Sequence, residues 1–253
     1  MARKDPLHFI WFICQGVAFI GAAGFILRPT SFLYRQQLIA TISAYVIVVY
    51  KETMSRSKRG RETGLRDVLA TENTQYLLVN TGLLFSGQYY LAMHINMIYP
   101  IFHVVTYVRG VIMDGLLGDP KSPILKDVAY AIEKGVKSSY DGAMNVAAVL
   151  EFVLWAHIYT KTLFRMENQW LLCCLYSTFI RARLANSPSS KQVLAYAADT
   201  IDKLVQLDMM PSAVKRGWES LNEIMGQVMI VTDLASYPTE LQQYTATGKP
   251  KDE

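Results

Sequence analysis

The chain has 253 residues, of which 51% are apolar and 18% are charged, and this excludes intrinsic disorder, which combines low hydrophobicity with high charge. Fifteen Gly, nine Pro and three Cys exclude a collagen-like chain and a small secreted domain built on disulfides. The net charge of +4 is the sum of two unlike parts: residues 1–190 are basic, with 19 Lys and Arg against 12 Asp and Glu, and residues 191–253 are acidic, with 6 Lys and Arg against 9 Asp and Glu. Because the chain also lacks any zinc-ligand spacing, we predict no nucleic-acid partner.

The first two apolar segments are residues 7–27 and 31–50. Residues 7–27 contain no Asp, Glu, Lys or Arg, and at about 1.5 Å per residue they reach across the ~30 Å core of a bilayer. The alternative, a cleaved signal peptide, has a shorter apolar stretch of about 7–15 residues. The second segment spans the bilayer if it begins at Ser31 and Arg35 extends to the interface, whereas a shorter helix would lie at the surface.

Two features of these first segments carry further predictions. The run Gly21-Ala22-Ala23-Gly24 favours close packing of two helices. After the second segment, the basic side chains Arg56, Lys58, Arg59 and Arg61 follow within a few residues. Three interpretations are open for these basic residues. They determine the topology as part of a solvated loop, they bind anionic lipid with about 1 kcal/mol of binding free energy per residue, or they bind importin.

The third feature is the uncharged run 73–108, which is 36 residues long. As one helix it would extend about 54 Å, nearly twice the bilayer core. It must therefore fold back, and we place the break at Ser86-Gly87-Gln88. The result is a hairpin of two short segments, 73–86 and 90–108, with Pro100 kinking the second.

Residues 122–140 have the pattern of an amphipathic helix at a membrane surface. Leu125, Val128 and Ile132 share one helical face, and lysines lie elsewhere. Two marginal apolar segments follow, 143–160 and 169–183, which form either a second hairpin or a re-entrant pair.

The polar tail is predicted to contain two amphipathic helices in residues 187–236, followed by a disordered stretch, 237–253. Ser187-Pro188 is a helix-start signal. The second helix begins near Ser212 and carries an apolar stripe for a membrane surface or a partner, formed by Val214, Trp218, Leu221, Met225 and Val228.

Together these segments predict an all-α, polytopic membrane bundle of four to six segments in residues 1–186, with cytosolic amphipathic helices. Six Lys and Arg lie in residues 51–72. The positive-inside rule therefore places residues 51–72, residues 109–142 and both termini in the cytosol.

Three polar residues inside the apolar segments are candidates for function: Glu151, His103 and His94. Ionisable groups in hydrocarbon are expensive and often functional, so a transporter or an enzyme built around them is one hypothesis. The alternative is structural, with Glu151 paired to His157 or Arg165 and the histidines in helix–helix hydrogen bonds. Asn80 and Gln88 are expected to hydrogen-bond between helices or at the interface. No pattern indicates a catalytic, cofactor or metal site.

Five short pieces carry a resemblance to a known family: Tyr34-Arg35-Gln36-Gln37-Leu38; Leu69-Ala70 with Glu72 and Tyr76-Leu77-Leu78; His103-Val104-Val105-Thr106-Tyr107; Glu151-Phe152-Val153-Leu154; and Tyr176 with Phe179-Ile180-Arg181. With the order and spacing of the apolar segments, residues 31–230 resemble the transmembrane protein 33 family, whose fungal members are described as pore-membrane nucleoporins and endoplasmic-reticulum proteins. The chain departs from the family at residues 181–186, which lack its stretch rich in tyrosine and arginine.

The resemblance implies an integral protein of the endoplasmic reticulum and nuclear envelope, associated with tubular membrane and with reticulon-type or nucleoporin partners, and without known catalytic residues. We therefore expect a non-enzymatic protein without a cofactor that shapes or stabilises curved membrane and scaffolds partners. Two alternatives stay open. One is an accessory subunit of a membrane complex, or a homo-oligomer, that docks through its C-terminal helices. The other is a transporter or enzyme using Glu151 and His103.

Overall fold

A computed structural model describes residues 6–58, 64–113, 123–164, 169–207 and 210–231. Within these ranges every regular element is an α-helix. The helices are α1 Pro6–Leu27, α2 Ser31–Lys58, α3 Leu65–Leu69, α4 Glu72–Leu84, α5 Tyr90–Met113, α6 Pro123–Leu163, α7 Trp170–Asn186, α8 Pro188–Val205 and α9 Ser212–Val231. The chain divides into two compact units, Met1–Ile180 and Arg181–Glu253.

Four of the described helices, α1, α2, α5 and α6, are long and apolar enough to cross a membrane. The helix α4 has 13 residues and α7 has 17, which give about 20 and 26 Å along the axis. Both are shorter than the ~30 Å core of a bilayer. The all-α polytopic prediction is confirmed, and four of its six segments have the length of a full crossing.

The break in the long uncharged run lies where the sequence predicts it. The helix α4 ends at Leu84 and α5 begins at Tyr90, so the predicted break at residues 86–88 falls between them. Pro100 lies inside α5 without ending it. The start of α4 is fixed by Thr71, whose hydroxyl oxygen accepts a hydrogen bond from the Thr74 N–H at 3.4 Å, an N-cap that satisfies one of the free donors at the helix start.

The first unit has a turn end, at which α1, α4 and α6 end and α2, α5 and α7 begin. The Tyr34 hydroxyl donates to the Gly87 carbonyl at 3.3 Å, and the Gln88 amide donates to the Ser31 hydroxyl at 2.6 Å. The Tyr89 hydroxyl donates to the side-chain oxygen of Gln169. Polar side chains from consecutive hairpins therefore bind one another where the chain reverses direction.

The opposite end of this unit, the linker end, carries the start of α1 and the C-terminal parts of α2 and α5. The Asn73 amide donates to Glu52 at 3.5 Å, and an ion pair joins Arg109 to Glu133. The described residues of the predicted cytosolic segments 51–72 and 109–142 that form these two contacts therefore lie at the same end of the unit.

The close packing predicted at Gly21 and Gly24 is present between α1 and α2. A Cβ atom added at Gly21 would lie 3.1 Å from the Cβ of Gln37, and one added at Gly24 would lie 3.5 Å from the side chain of Leu33. The missing side chain at Gly21 lets the two backbones approach closely, which compensates for the absence of a hydrophobic driving force between helices in lipid.

The amphipathic helix predicted at residues 122–140 is not interrupted before the next predicted segment. These residues and the predicted segment 143–160 form one helix, α6, of 41 residues, about 61 Å long. No proline follows Pro123 in α6 to break it, and its N-terminal half packs on α5, with Tyr140 edge-on to Phe102 at 5.5 Å and Ala129 buried. The amphipathic stretch is therefore continuous with the apolar segment that follows it and packs on α5.

In the second unit, α8 begins at Pro188, as Ser187-Pro188 predicts. The Ser187 hydroxyl oxygen accepts from the Ser190 N–H at 3.3 Å, and Pro188 occupies the first helical position, where its missing N–H costs nothing. The second predicted helix is α9. Residues 232–236 and the predicted disordered stretch 237–253 lie outside the described residues.

Candidate functional site

A chain of hydrogen bonds crosses the interior of the first unit and ends on Glu151, which is 1% exposed. The Tyr76 hydroxyl donates to Glu151 Oε1 at 2.6 Å. The Tyr99 hydroxyl lies 2.6 Å from the Tyr76 hydroxyl, and because Tyr76 uses its single proton on Glu151, Tyr99 is the donor. The chain of donors therefore runs from α5 through α4 to α6.

A second group of buried amides continues this network toward α2. Asn96 Nδ2 donates to Asn80 Oδ1 at 2.5 Å, and Asn80 Nδ2 donates to the Tyr76 carbonyl at 2.8 Å. Gln37 Nε2 donates to the Thr41 hydroxyl at 3.1 Å and lies 3.4 Å from the Asn96 carbonyl. The prediction that Asn80 bonds between helices is confirmed. Such pairs bind helices together in an apolar medium because unpaired amides are costly there.

Beside Glu151 the helices leave a cavity of about 10 Å³, enough for at most one water molecule. Its walls are mostly apolar and include Val79, Leu83, Leu154 and Phe179. The arrangement supplies hydrogen bonds between helices and leaves no room for a solute.

The two histidines predicted to accompany Glu151 are not among the residues that line this cavity. His103 packs edge-on against Trp11 of α1, with ring centroids 5.1 Å apart, and His94 Nδ1 lies 3.0 Å from the Tyr90 carbonyl one turn earlier. The three intramembrane polar candidates therefore do not form one site.

The expected pairing of Glu151 with His157 is also corrected. Six residues along an α-helix rotate the side chain by about 240°, so the two point in different directions. His157 instead packs edge-on against Tyr89, with centroids 5.8 Å apart. The other proposed partner, Arg165, lies outside the described residues.

Five members of the network were not predicted from the sequence: Gln37, Thr41, Tyr76, Asn96 and Tyr99. The sequence pattern that could have indicated some of them is a set of polar residues that recur three or four positions apart within an uncharged segment. Tyr76 and Asn80 are four residues apart on α4, and Asn96 and Tyr99 are three apart on α5, so each pair shares a face. In the parts of the chain that the structure describes, no three His, Cys, Asp or Glu side chains are grouped so as to hold a metal ion.

The second candidate site is the α8–α9 pair of the second unit. Trp218 Nε1 on α9 donates to Asp202 Oδ1 on α8 at 2.5 Å, so this predicted membrane anchor is held to α8 by its indole. Five large apolar side chains of residues 188–214 are exposed by a third or more: Tyr196, Ile201, Leu204, Leu207 and Val214. Leu221, Met225 and Val228 lie on α9, and their side chains lie outside what the structure describes.

The other predicted contact residues occupy two separate places in the first unit. Arg56 forms an ion pair with Glu52 at 2.5 Å on the last turns of α2, and Lys58 is exposed at its end. Arg59 and Arg61 lie outside the described residues. On α6, Val128 is exposed, and Leu125 and Ile132 are half-buried.

The chain matches the family described as Transmembrane protein 33/Nucleoporin POM33 over residues 2–229. It is similar to Nucleoporin POM33 of Chaetomium thermophilum, with 34% identity over 81% of this chain and 77% of the relative. It is also similar to Pore membrane protein of 33 kDa of Saccharomyces cerevisiae, at 22% over 87% and 83%, and to Tetra-spanning protein 1 of Schizosaccharomyces pombe, at 25% over 84% and 81%. No solved structure matches the chain.

These similarities confirm the family resemblance found in the sequence. With the four long apolar helices, they support a multi-pass membrane protein of the nuclear envelope and endoplasmic reticulum.

Proposed function

Because this chain belongs to the Transmembrane protein 33/Nucleoporin POM33 family, we propose that it is a non-enzymatic membrane protein that stabilises curved membrane and scaffolds partners. In this proposal it acts in the endoplasmic reticulum and nuclear envelope, with both termini in the cytosol. Its partners are the bilayer itself and reticulon-type or nuclear pore proteins.

The observation that carries the proposal is the apolar surface of the α8–α9 pair. Ile201 and Leu204 are 37% and 50% exposed although they lie on the apolar face of α8. Two amphipathic helices that leave such side chains open are suited to insertion at a bilayer surface, where apolar side chains enter the boundary between head groups and acyl chains. If the helices insert into only one of the two leaflets, that leaflet expands relative to the other, and the membrane curves.

The unequal lengths of the helices of the first unit support the same mechanism. The helices α2 and α6 have 28 and 41 residues, about 42 and 61 Å, and both exceed the ~30 Å core. Because α2 begins and α6 ends at the turn end, the excess length extends at the linker end. A protein that is larger on one side of the membrane occupies more area in that leaflet.

The proposal of a non-enzymatic role draws support from the interior of the first unit. A transporter or enzyme using Glu151 needs a path or a pocket for a solute, whereas the cavity beside it has room for one water molecule. The hydrogen bonds to Glu151 are suited to holding α4, α5 and α6 together.

The test uses the full chain reconstituted into vesicles of small and large diameter. Replacing Ile201 and Leu204 with Asp places two charges on the apolar face of α8. Gln192→Asp is the control, since Gln192 is exposed and lies nine residues before Ile201, about 180° around the helix axis. The wild type and the control should be enriched in small vesicles, and the double variant should lose this enrichment while staying inserted. Equal distribution of the wild-type chain over all diameters would reject the curvature mechanism.

The same variants separate this proposal from an accessory subunit that docks on protein through α8 and α9. The exposed apolar side chains also fit a protein partner, so this second candidate has support of its own. In that case the double variant loses a crosslinked partner in native membranes, and the preference for small vesicles does not change.

A further inference from the structure

A groove of about 650 Å³ lies on the outer surface of the first unit between α1 and α2. Its floor and walls are mostly apolar and include Ile13 and Val17 of α1 and Phe32 and Ile39 of α2. The volume is within the roughly 300–1,000 Å³ of ligand-binding clefts. Because these two helices are continuous candidate spans, the groove opens toward the acyl chains of the bilayer.

The polarity of the groove changes along its length. Its polar residues, Ser31, Arg35 and Gln36, lie in the first turns of α2 at the turn end. Ile39 and the α1 side chains Ile13 and Val17 lie further from the turn, about 12–20 Å along the helix axes at 1.5 Å per residue. A polar end near the interface and an apolar trough below it match the head group and the acyl chain of a lipid.

The polar end offers donors and a single positive charge. Arg35 is exposed, and no carboxylate in the described part of the chain forms an ion pair with it. The Ser31 hydroxyl accepts the Gln88 amide, so its own proton is available for another acceptor. A guanidinium binds phosphate through two parallel hydrogen bonds, which makes an anionic phosphodiester the complementary group.

We propose that this groove is a binding site for one glycerophospholipid of the leaflet at the turn end, with its phosphodiester on Arg35 and Ser31 and an acyl chain between α1 and α2. The proposal concerns the first unit alone, and it does not depend on the proposed function. The bound lipid lies against two helices that pack closely where Gly21 faces Gln37 and Gly24 faces Leu33.

The test measures phospholipid retained by the full chain after purification in mild detergent, by native mass spectrometry. Arg35→Gln removes the charge, and Arg28→Gln is its control, an exposed arginine of the same end that does not line the groove. Ile39→Trp fills the trough from a side chain that is 53% exposed, and Ile20→Trp is its control on α1, 67% exposed and outside the groove. Neither pair alters the buried core, and thermal unfolding of each variant checks this.

The wild type and both controls should retain one phospholipid per chain. Arg35→Gln should lower the affinity about fivefold, the effect of roughly one cationic contact at a lipid surface, and Ile39→Trp should remove the lipid. Equal retention by all five proteins would overturn the proposal. So would a photo-crosslinking amino acid at position 32 that captures a second copy of the chain or another protein instead of a phospholipid.

Discussion

The hydrogen-bonded chain that ends on Glu151 allows a quantitative prediction. Replacing Tyr76 with Phe keeps the ring, which packs edge-on against Phe179 at 5.0 Å, and removes only the hydroxyl. That hydroxyl donates to Glu151 and accepts from Tyr99, so one buried and one partly buried hydrogen bond are lost. Measured hydrogen bonds between helices in membranes average about 0.6 kcal/mol and reach about 1.7 kcal/mol, so we expect a loss of roughly 1–3 kcal/mol in stability.

Substitutions at the ends of the chain of donors separate its contributions. Tyr99→Phe removes one hydrogen bond and should cost about half as much as Tyr76→Phe. Glu151→Gln keeps an oxygen that accepts from Tyr76 and should be milder than Glu151→Leu, which keeps no acceptor. Tyr159→Phe is the control, because Tyr159 is 47% exposed on the same helix as Glu151.

The assay is unfolding of the purified full chain in mixed micelles with increasing denaturing detergent, followed by tryptophan fluorescence. A double-variant cycle of Tyr76→Phe with Glu151→Leu isolates the energy of the contact, since the second substitution should cost little once the first has removed the donor. Additive losses in this cycle, or no loss from Tyr76→Phe, would refute the reasoning.

Three further substitutions test contacts elsewhere in the protein. Gly21→Leu should destabilise the α1–α2 pair by about 1–3 kcal/mol, since a Cβ would meet Gln37 at 3.1 Å, while Gly16→Leu, with nothing within 4 Å, should have little effect on thermal unfolding. Trp218→Phe keeps an aromatic ring but removes the donor to Asp202, so amide hydrogen exchange in α8 and α9 should accelerate, and unchanged exchange would exclude this contact. Ser187→Ala should cost about 1 kcal/mol and raise exchange in the first turn of α8 only, in contrast to a change spread over the whole unit.

Much of the architecture is visible in the sequence because the bilayer imposes it. An uncharged run of 36 residues is too long for one crossing, so its length requires a break, and Ser86-Gly87-Gln88 indicates the position between Leu84 and Tyr90. Helix caps such as Ser187-Pro188 can also be predicted from the sequence, because they depend only on residues that are neighbours in the chain. The two segments around residues 122–160 were separated wrongly, because a change from an amphipathic to an apolar pattern does not by itself interrupt a helix.

The candidate site was predictable only in part. Glu151 stands out in the sequence as the acidic residue inside an apolar segment, since burial of a carboxylate in hydrocarbon is costly. Its partner is Tyr76, 75 residues away on another helix, and which helices become neighbours depends on packing. The pairing with His157 used proximity in sequence, whereas the helical rotation directs that side chain toward Tyr89.

The sequence by itself determined that this chain crosses a membrane several times, where it turns and which family it belongs to, because length, charge and capping act over a few residues. Only the tertiary structure decided which polar side chains meet. It joins Tyr99, Tyr76 and Glu151 from three helices, excludes the two histidines from that site, and opens a groove between α1 and α2 with Arg35 at one end. In an apolar medium a polar group needs a partner, but the helix that supplies it is chosen by side-chain packing over the whole unit.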